Sequence, residues 1–195
     1  MGAQKEADFR DYTDPEIQFW DAGDGVPSKK DLEKLEADLQ VTLPKEYRRF
    51  QLRHGAVMVA ANDNVWPDSE LGKGGPYWTF LKGFMVFGLG QDCPDYMDIR
   101  AVTSGFHKEF PDLCKLVPFF AHNNTSNFFY CFDDRGRVVL WSHEVPDEAE
   151  DQTMGFDEFV IAETKLLVLR KDAVKAAVGR YGKRWRDKAK SPELP

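Results

Sequence analysis

Three apolar runs, LVPFFA (116–121), NFFYCFD (127–133) and RVVLWSH (137–143), constrain this chain more than any other feature. All are rich in residues that favour a pleated, half-buried backbone. The last two flank Asp134-Arg135-Gly136, a compact turn that predicts a hairpin. Alternation places Phe128, Tyr130 and Phe132 on one face and Phe129 and Cys131 on the other. Both faces are apolar, so the sheet must be covered on each side, and Cys131 reads as a small buried residue.

Helical patterns supply the cover. SKKDLEKLEADL begins with Ser28 three residues before Asp31, a capping-box spacing, and repeats Leu32, Leu35 and Leu39. In VTLPKEYRRFQLRHGA, Pro44 suits the first helical position and Gly55 a C-cap, with Tyr47, Phe50 and His54 on one stripe. Asp92 and Pro94 signal the start of a helix carrying Tyr96, Ile99, Thr103 and Phe106. A last helix, from MGFDEFV onward, carries a stripe of Phe156, Phe159, Ala162, Leu166 and Leu169. VMVAA (57–61) and FMVFGLG (84–90) read as strands, and the Gly- and Pro-punctuated stretch between them as a long loop.

These patterns predict an α+β fold of one domain, a central mostly antiparallel β-sheet flanked by helices. Residues 1–21 read as an irregular lead-in with aromatic anchors, 22–170 as the domain and 171–195 as a basic helical or flexible extension. The formal charge of −7 is unevenly spread: residues 165–190 hold ten of the 26 Lys and Arg with two acids, leaving 16 basic against 31 acidic residues elsewhere. An acidic body argues against a nucleic-acid groove and for a cationic partner. No run approaches the ~20 apolar residues of a membrane span, and the acidic N-terminus lacks the apolar core of a secretory signal. A cytoplasmic protein with reduced thiols is the expectation, Cys93, Cys114 and Cys131 being widely spaced.

The motifs that invite chemistry fall short of it. His143-Glu144 opens like a zinc-protease helix, but the fifth position is Asp147 and Pro146 opposes a continuous helix. Gly88-Leu89-Gly90 lacks the third glycine of a dinucleotide fingerprint, Cys93 standing in its place. No metal and no cofactor is expected. WSHEVPDEAED (141–151) reads instead as a strand end followed by an exposed acidic loop.

The order of signals resembles the SUKH superfamily over roughly residues 22–165. The resemblance rests on Leu43-Pro44-x-x-Tyr47-Arg48-x-Phe50, on Trp141 with His143 at a strand end, and on Phe156-x-x-Phe159. Many members carry Asn-Gly-Gly where this chain has His54-Gly55-Ala56, and the basic extension lies outside the resemblance. It implies a non-catalytic domain, either an immunity protein that binds a cognate toxin or a Smi/Knr-type regulatory scaffold. A basic nuclease or deaminase toxin suits an acidic antidote. The candidate contacts are Asp133, Asp134, His143, Glu144, Asp147, Glu148, Glu150 and Asp151, with Asp63, Trp66, Asp68 and Glu70 in the long loop. Membrane and nucleic acid are not expected as partners, and the chain is expected to be a monomer or weak homodimer. A scaffold and a carboxylate or Cys/His hydrolase stand as alternatives.

Overall fold

The computed structural model describes residues 8–61, 83–122 and 127–189, with side chains to residue 172 apart from that of 147. Seven strands form one antiparallel meander in which chain neighbours are sheet neighbours. They are β1 (Ile17–Asp21), β2 (Val57–Ala61), β3 (Gly83–Val86), β4 (Val117–His122), β5 (Phe128–Phe132), β6 (Val138–Ser142) and β7 (Val145–Asp151). Helices α1 (Lys29–Leu39) and α2 (Lys45–His54) connect β1 to β2, α3 (Ile99–Glu109) precedes β4, and α4 (Phe156–Ala189) follows β7.

The aromatic residues of the central strands explain why both faces are covered. On one face Phe119 stacks on Phe132 at 4.1 Å and meets Phe156 of α4 at 5.5 Å, while Tyr47 of α2 packs on Phe132 at 5.1 Å. On the other, Phe106 of α3 stands edge-on to Trp141 at 4.9 Å, over a fully buried Cys131. Each such ring pair adds about 0.5–1.5 kcal/mol to the burial itself. The two-faced alternation of β5 is therefore realised, with Tyr130 against Phe159 and Phe129 against Trp141.

Local signals set the helix ends. Ser28 and Asp31 form the reciprocal capping box, each accepting the other's backbone N–H. Pro44 is the N-cap of α2 rather than its first helical residue. Asp98, not Asp92 or Pro94, caps α3 by accepting from the N–H groups of Arg100 and Ala101, and Tyr96 lies before the helix, exposed.

Three further expectations are corrected. Residues 17–21 of the supposed irregular lead-in form β1, paired with β2 along its whole length. In α4 the buried stripe is Phe156, Phe159, Val160, Thr164, Leu167 and Lys171, whereas Leu166 and Leu169 face solvent. Two stripes satisfy helical spacing there, and contact with the sheet selects between them. Lys171, read as the first residue of the basic extension, belongs to the domain: it is 3% exposed, its ammonium bound by Asp14 and Glu16, within a helix that runs on to Ala189. The loop candidates Asp63, Trp66, Asp68 and Glu70 lie outside the described residues.

Candidate partner-binding surface

The acidic run is a strand, not a loop. His143 and Glu144 form a two-residue turn, and the chain returns along β6 as β7, the edge of the sheet. Register jumps from Trp141↔Ala149 to Ser142↔Val145, so the strand bulges around Pro146. Trp141 pins the bulge by donating its indole N–H to the Pro146 carbonyl at 3.0 Å. Pro146 and four acids disguise a strand in sequence, yet an edge tolerates a missing donor and projecting charge.

The acids are consequently strung out. Glu144 sits at the turn and Asp151 opposite Val139, so β7 runs along four residues of β6, about 10 Å at ~3.3 Å per residue. His143 donates its backbone N–H to the Asn127 carbonyl at 2.8 Å, and its ring lies over Phe110. Glu144, Glu148 and Glu150 are exposed, while nothing is described for the side chain of Asp147.

Near the other end of β7, two of the candidates build structure. Asp133 accepts the backbone N–H of Arg135 at 2.9 Å and of Arg137 at 2.8 Å, and the Arg137 Nε–H at 2.8 Å. Burial opposes ionisation of Asp133, but these donors outweigh it and hold its carboxyl below the usual range. Asp151 accepts from Arg137 Nη1 at 2.6 Å and from the Thr153 N–H at 2.8 Å. Arg137 thus ties the β5–β6 turn to the edge strand. Asp134 is exposed and pairs with Lys115 at 3.4 Å.

Asp133 and Asp134 also line a groove of about 820 Å³, facing Glu36 and Asp38 of α1 and His107 of α3. Glu36 accepts the Leu43 N–H at 2.8 Å and pairs with Arg48 at 2.6 Å, so it fixes the α1–α2 connection. Asp38 is exposed at the groove. Sequence reasoning missed both, because acids on an amphipathic helix look like an ordinary solvent face. Only the fold sets the end of α1 opposite the β5–β6 turn.

Among the described residues, no three His, Cys, Asp or Glu side chains group as metal ligands. Burial pushes the Cys131 thiol well up, and burial with nearby Asp98 pushes that of Cys93 to about 11. Both are poor nucleophiles at neutral pH. The histidine–carboxylate pairs are His54–Asp8 at 3.1 Å and His122–Glu163 at 2.8 Å, all four side chains largely buried. The exposed carboxylates suit ammonium and guanidinium groups of another molecule.

Fold and surface together define an α+β meander whose edge strand β7 carries exposed carboxylates. Residues 26–162 match the SMI1 / KNR4 family (SUKH-1), and the chain belongs to that family. Membership supports an immunity-protein-like or Smi/Knr-type role, in a family generally without catalysis. No curated protein matches the chain in sequence. Among the described residues no helix is long and apolar enough to cross a membrane.

Proposed function

We propose that this protein is an immunity protein that binds a basic bacterial toxin, a nuclease or deaminase, and occludes its active site. The observation that carries the reading is the row of exposed carboxylates on the edge strand, Glu144, Glu148 and Glu150, with Asp38 exposed at the separate groove beside α3. A toxin that grips phosphate is basic at its groove, so an acidic antidote is steered to that groove by long-range attraction. Such a protein acts in the cytoplasm of the producing cell, as a monomer or weak homodimer. A Smi/Knr-type scaffold is the second reading, favoured by the basic distal part of α4, which lies outside the matched span.

The test is co-purification with the product of the neighbouring gene and rescue of cells that make it. Association should slow severalfold between 50 and 200 mM salt if charge steers the encounter. The triple change Glu144→Gln, Glu148→Gln, Glu150→Gln should lower the association rate and flatten its salt dependence. An unchanged rate and slope would remove the β7 edge from the interface; binding without rescue would favour the scaffold.

A further inference from the structure

The segment before the matched span adds a strand to the sheet. Its strand β1 closes the edge of β2 over five paired residues, and two anchors hold it from below. At the first, Phe9 is 4% exposed, with ring centroids 5.5 Å from Phe19, 5.5 Å from Phe50 and 5.3 Å from His54. Beside it, Asp8 Oδ2 lies 3.1 Å from His54 Nε2 and 3.2 Å from Arg53 Nη1. At the second, the nearly buried ammonium of Lys171 meets Asp14, Glu16 at 3.0 Å and Asp172 at 3.4 Å. Lys165 adds a cation over the Tyr12 ring at 4.4 Å.

We propose that residues 8–21 are an acid-loosened clasp, seated on His54 of α2 and tethered to α4, that opens from the sheet more readily when His54 takes up a proton. The domain over 26–162 stays folded, and β2 becomes its edge strand.

The geometry makes His54 the sensitive point. Its side chain is 6% exposed, sandwiched between Phe9 above and Phe50 beside it, and its ring nitrogen meets Asp8. Burial lowers its proton affinity below the usual 6.5; Asp8 opposes this, while Arg10 and Arg53 act with burial. Arg49 of α2 and Asp157 of α4, which line the same cavity, are paired with each other. Once the segment lifts, the imidazole meets water and regains its ordinary affinity. The docked form therefore binds fewer protons, and its population falls as pH drops below about 6.5.

Lys171 and Asp8 keep their charges in that window. Burial opposes the charge of Lys171, but Asp14, Glu16 and Asp172 outweigh it and hold the ammonium protonated well beyond its usual range. Asp8 is held below its ordinary value despite burial, by the Arg10 N–H, His54 and Arg53, and stays ionised at pH 5. Release is thus governed by the His54 seat.

Hydrogen exchange of the full chain at pH 7.5 and 5.0, corrected for intrinsic rates, tests this. Protection of β1 amides should fall by between about 3- and 30-fold, the upper limit being complete loss of His54 protonation in the docked form. Protection in β5 and β6 should hold. Loss under threefold in β1, or a parallel loss in β5 and β6, overturns the proposal. Replacement His54→Gln should make β1 protection independent of pH; a fall equal to that of the parent would overturn it as well. Should that variant fail to fold, the β1-against-β5 comparison in the parent chain decides alone.

Discussion

At residue 51 a glutamine with 0% exposure occupies a site that a helix stripe would assign to an apolar side chain. Its Nε2 donates to the Gly55 carbonyl at 3.1 Å and the Phe87 carbonyl at 3.3 Å, and its Oε1 accepts the Leu89 N–H at 3.0 Å. The Phe87 carbonyl also accepts the Tyr47 hydroxyl at 2.8 Å. These bonds satisfy the backbone where the chain leaves β3, and they leave no room at Gly88: a β-carbon there falls 2.3 Å from Gln51 Oε1. The Gly-Leu-Gly run is a packing feature, not a phosphate cradle. Gly55 is required for a different reason, its φ of +64° with ψ of −146° being open to glycine alone. Gly88→Ala should cost roughly 1–3 kcal/mol by urea unfolding, since the trapped Gln51 cannot retreat. In a Gln51→Ala background that cost should shrink by at least about 0.5 kcal/mol, the signature of direct coupling. Additive losses would show that the two positions do not compete for the same space.

The two edges of the sheet are unlike at the scale of elements. Edge β7 has Pro146, a bulge and acidic side chains, all of which oppose pairing with another strand. Its charge thus serves solubility whether or not a partner docks there. Replacing Glu148 and Glu150 with Thr should leave the fold intact but raise concentration-dependent self-association, read by light scattering. A strictly monomeric variant at millimolar concentration would show that Pro146 and the bulge suffice. Edge β1 is guarded differently, by the aromatic and ionic anchors of the segment that contains it.

For the whole molecule, the core's polar groups set the pH limits of stability. Burial holds the Tyr47 phenol and Cys131 thiol protonated far into alkali, and pushes Tyr130 up to about 12. A group that ionises later in the folded chain than in the unfolded one supports the fold below its unfolded value and withdraws that support above it. Tm should therefore be flat from pH 7 to 9 and fall from about pH 9–10 upward, measurable by calorimetry. At the acid end the His54 seat works in the opposite direction, lowering stability below about pH 6.5.

Periodicity and punctuation determined much on their own: the capping box at Ser28, the α1–α2 pair, the β5–β6 hairpin and the two-faced apolar character of β5. Those are local codes, in which neighbours three or four residues apart settle the conformation. Strands β1 and β7 were not legible, because edge strands carry too little burial to impose alternation and owe their shape to the strand beside them. The buried stripe of α4 was ambiguous until the sheet selected it. Among the site residues, Glu144, Glu148, Glu150 and Asp134 are exposed, whereas Asp133 and Asp151 are held by Arg137 and build the turn. Sequence by itself determined that this chain makes a covered sheet with an acidic body. Asp133 is held locally, by Arg135 and Arg137 two and four residues on, but only the tertiary structure brought Arg137 to Asp151, fourteen residues away, because pairing of β6 with β7 sets them side by side.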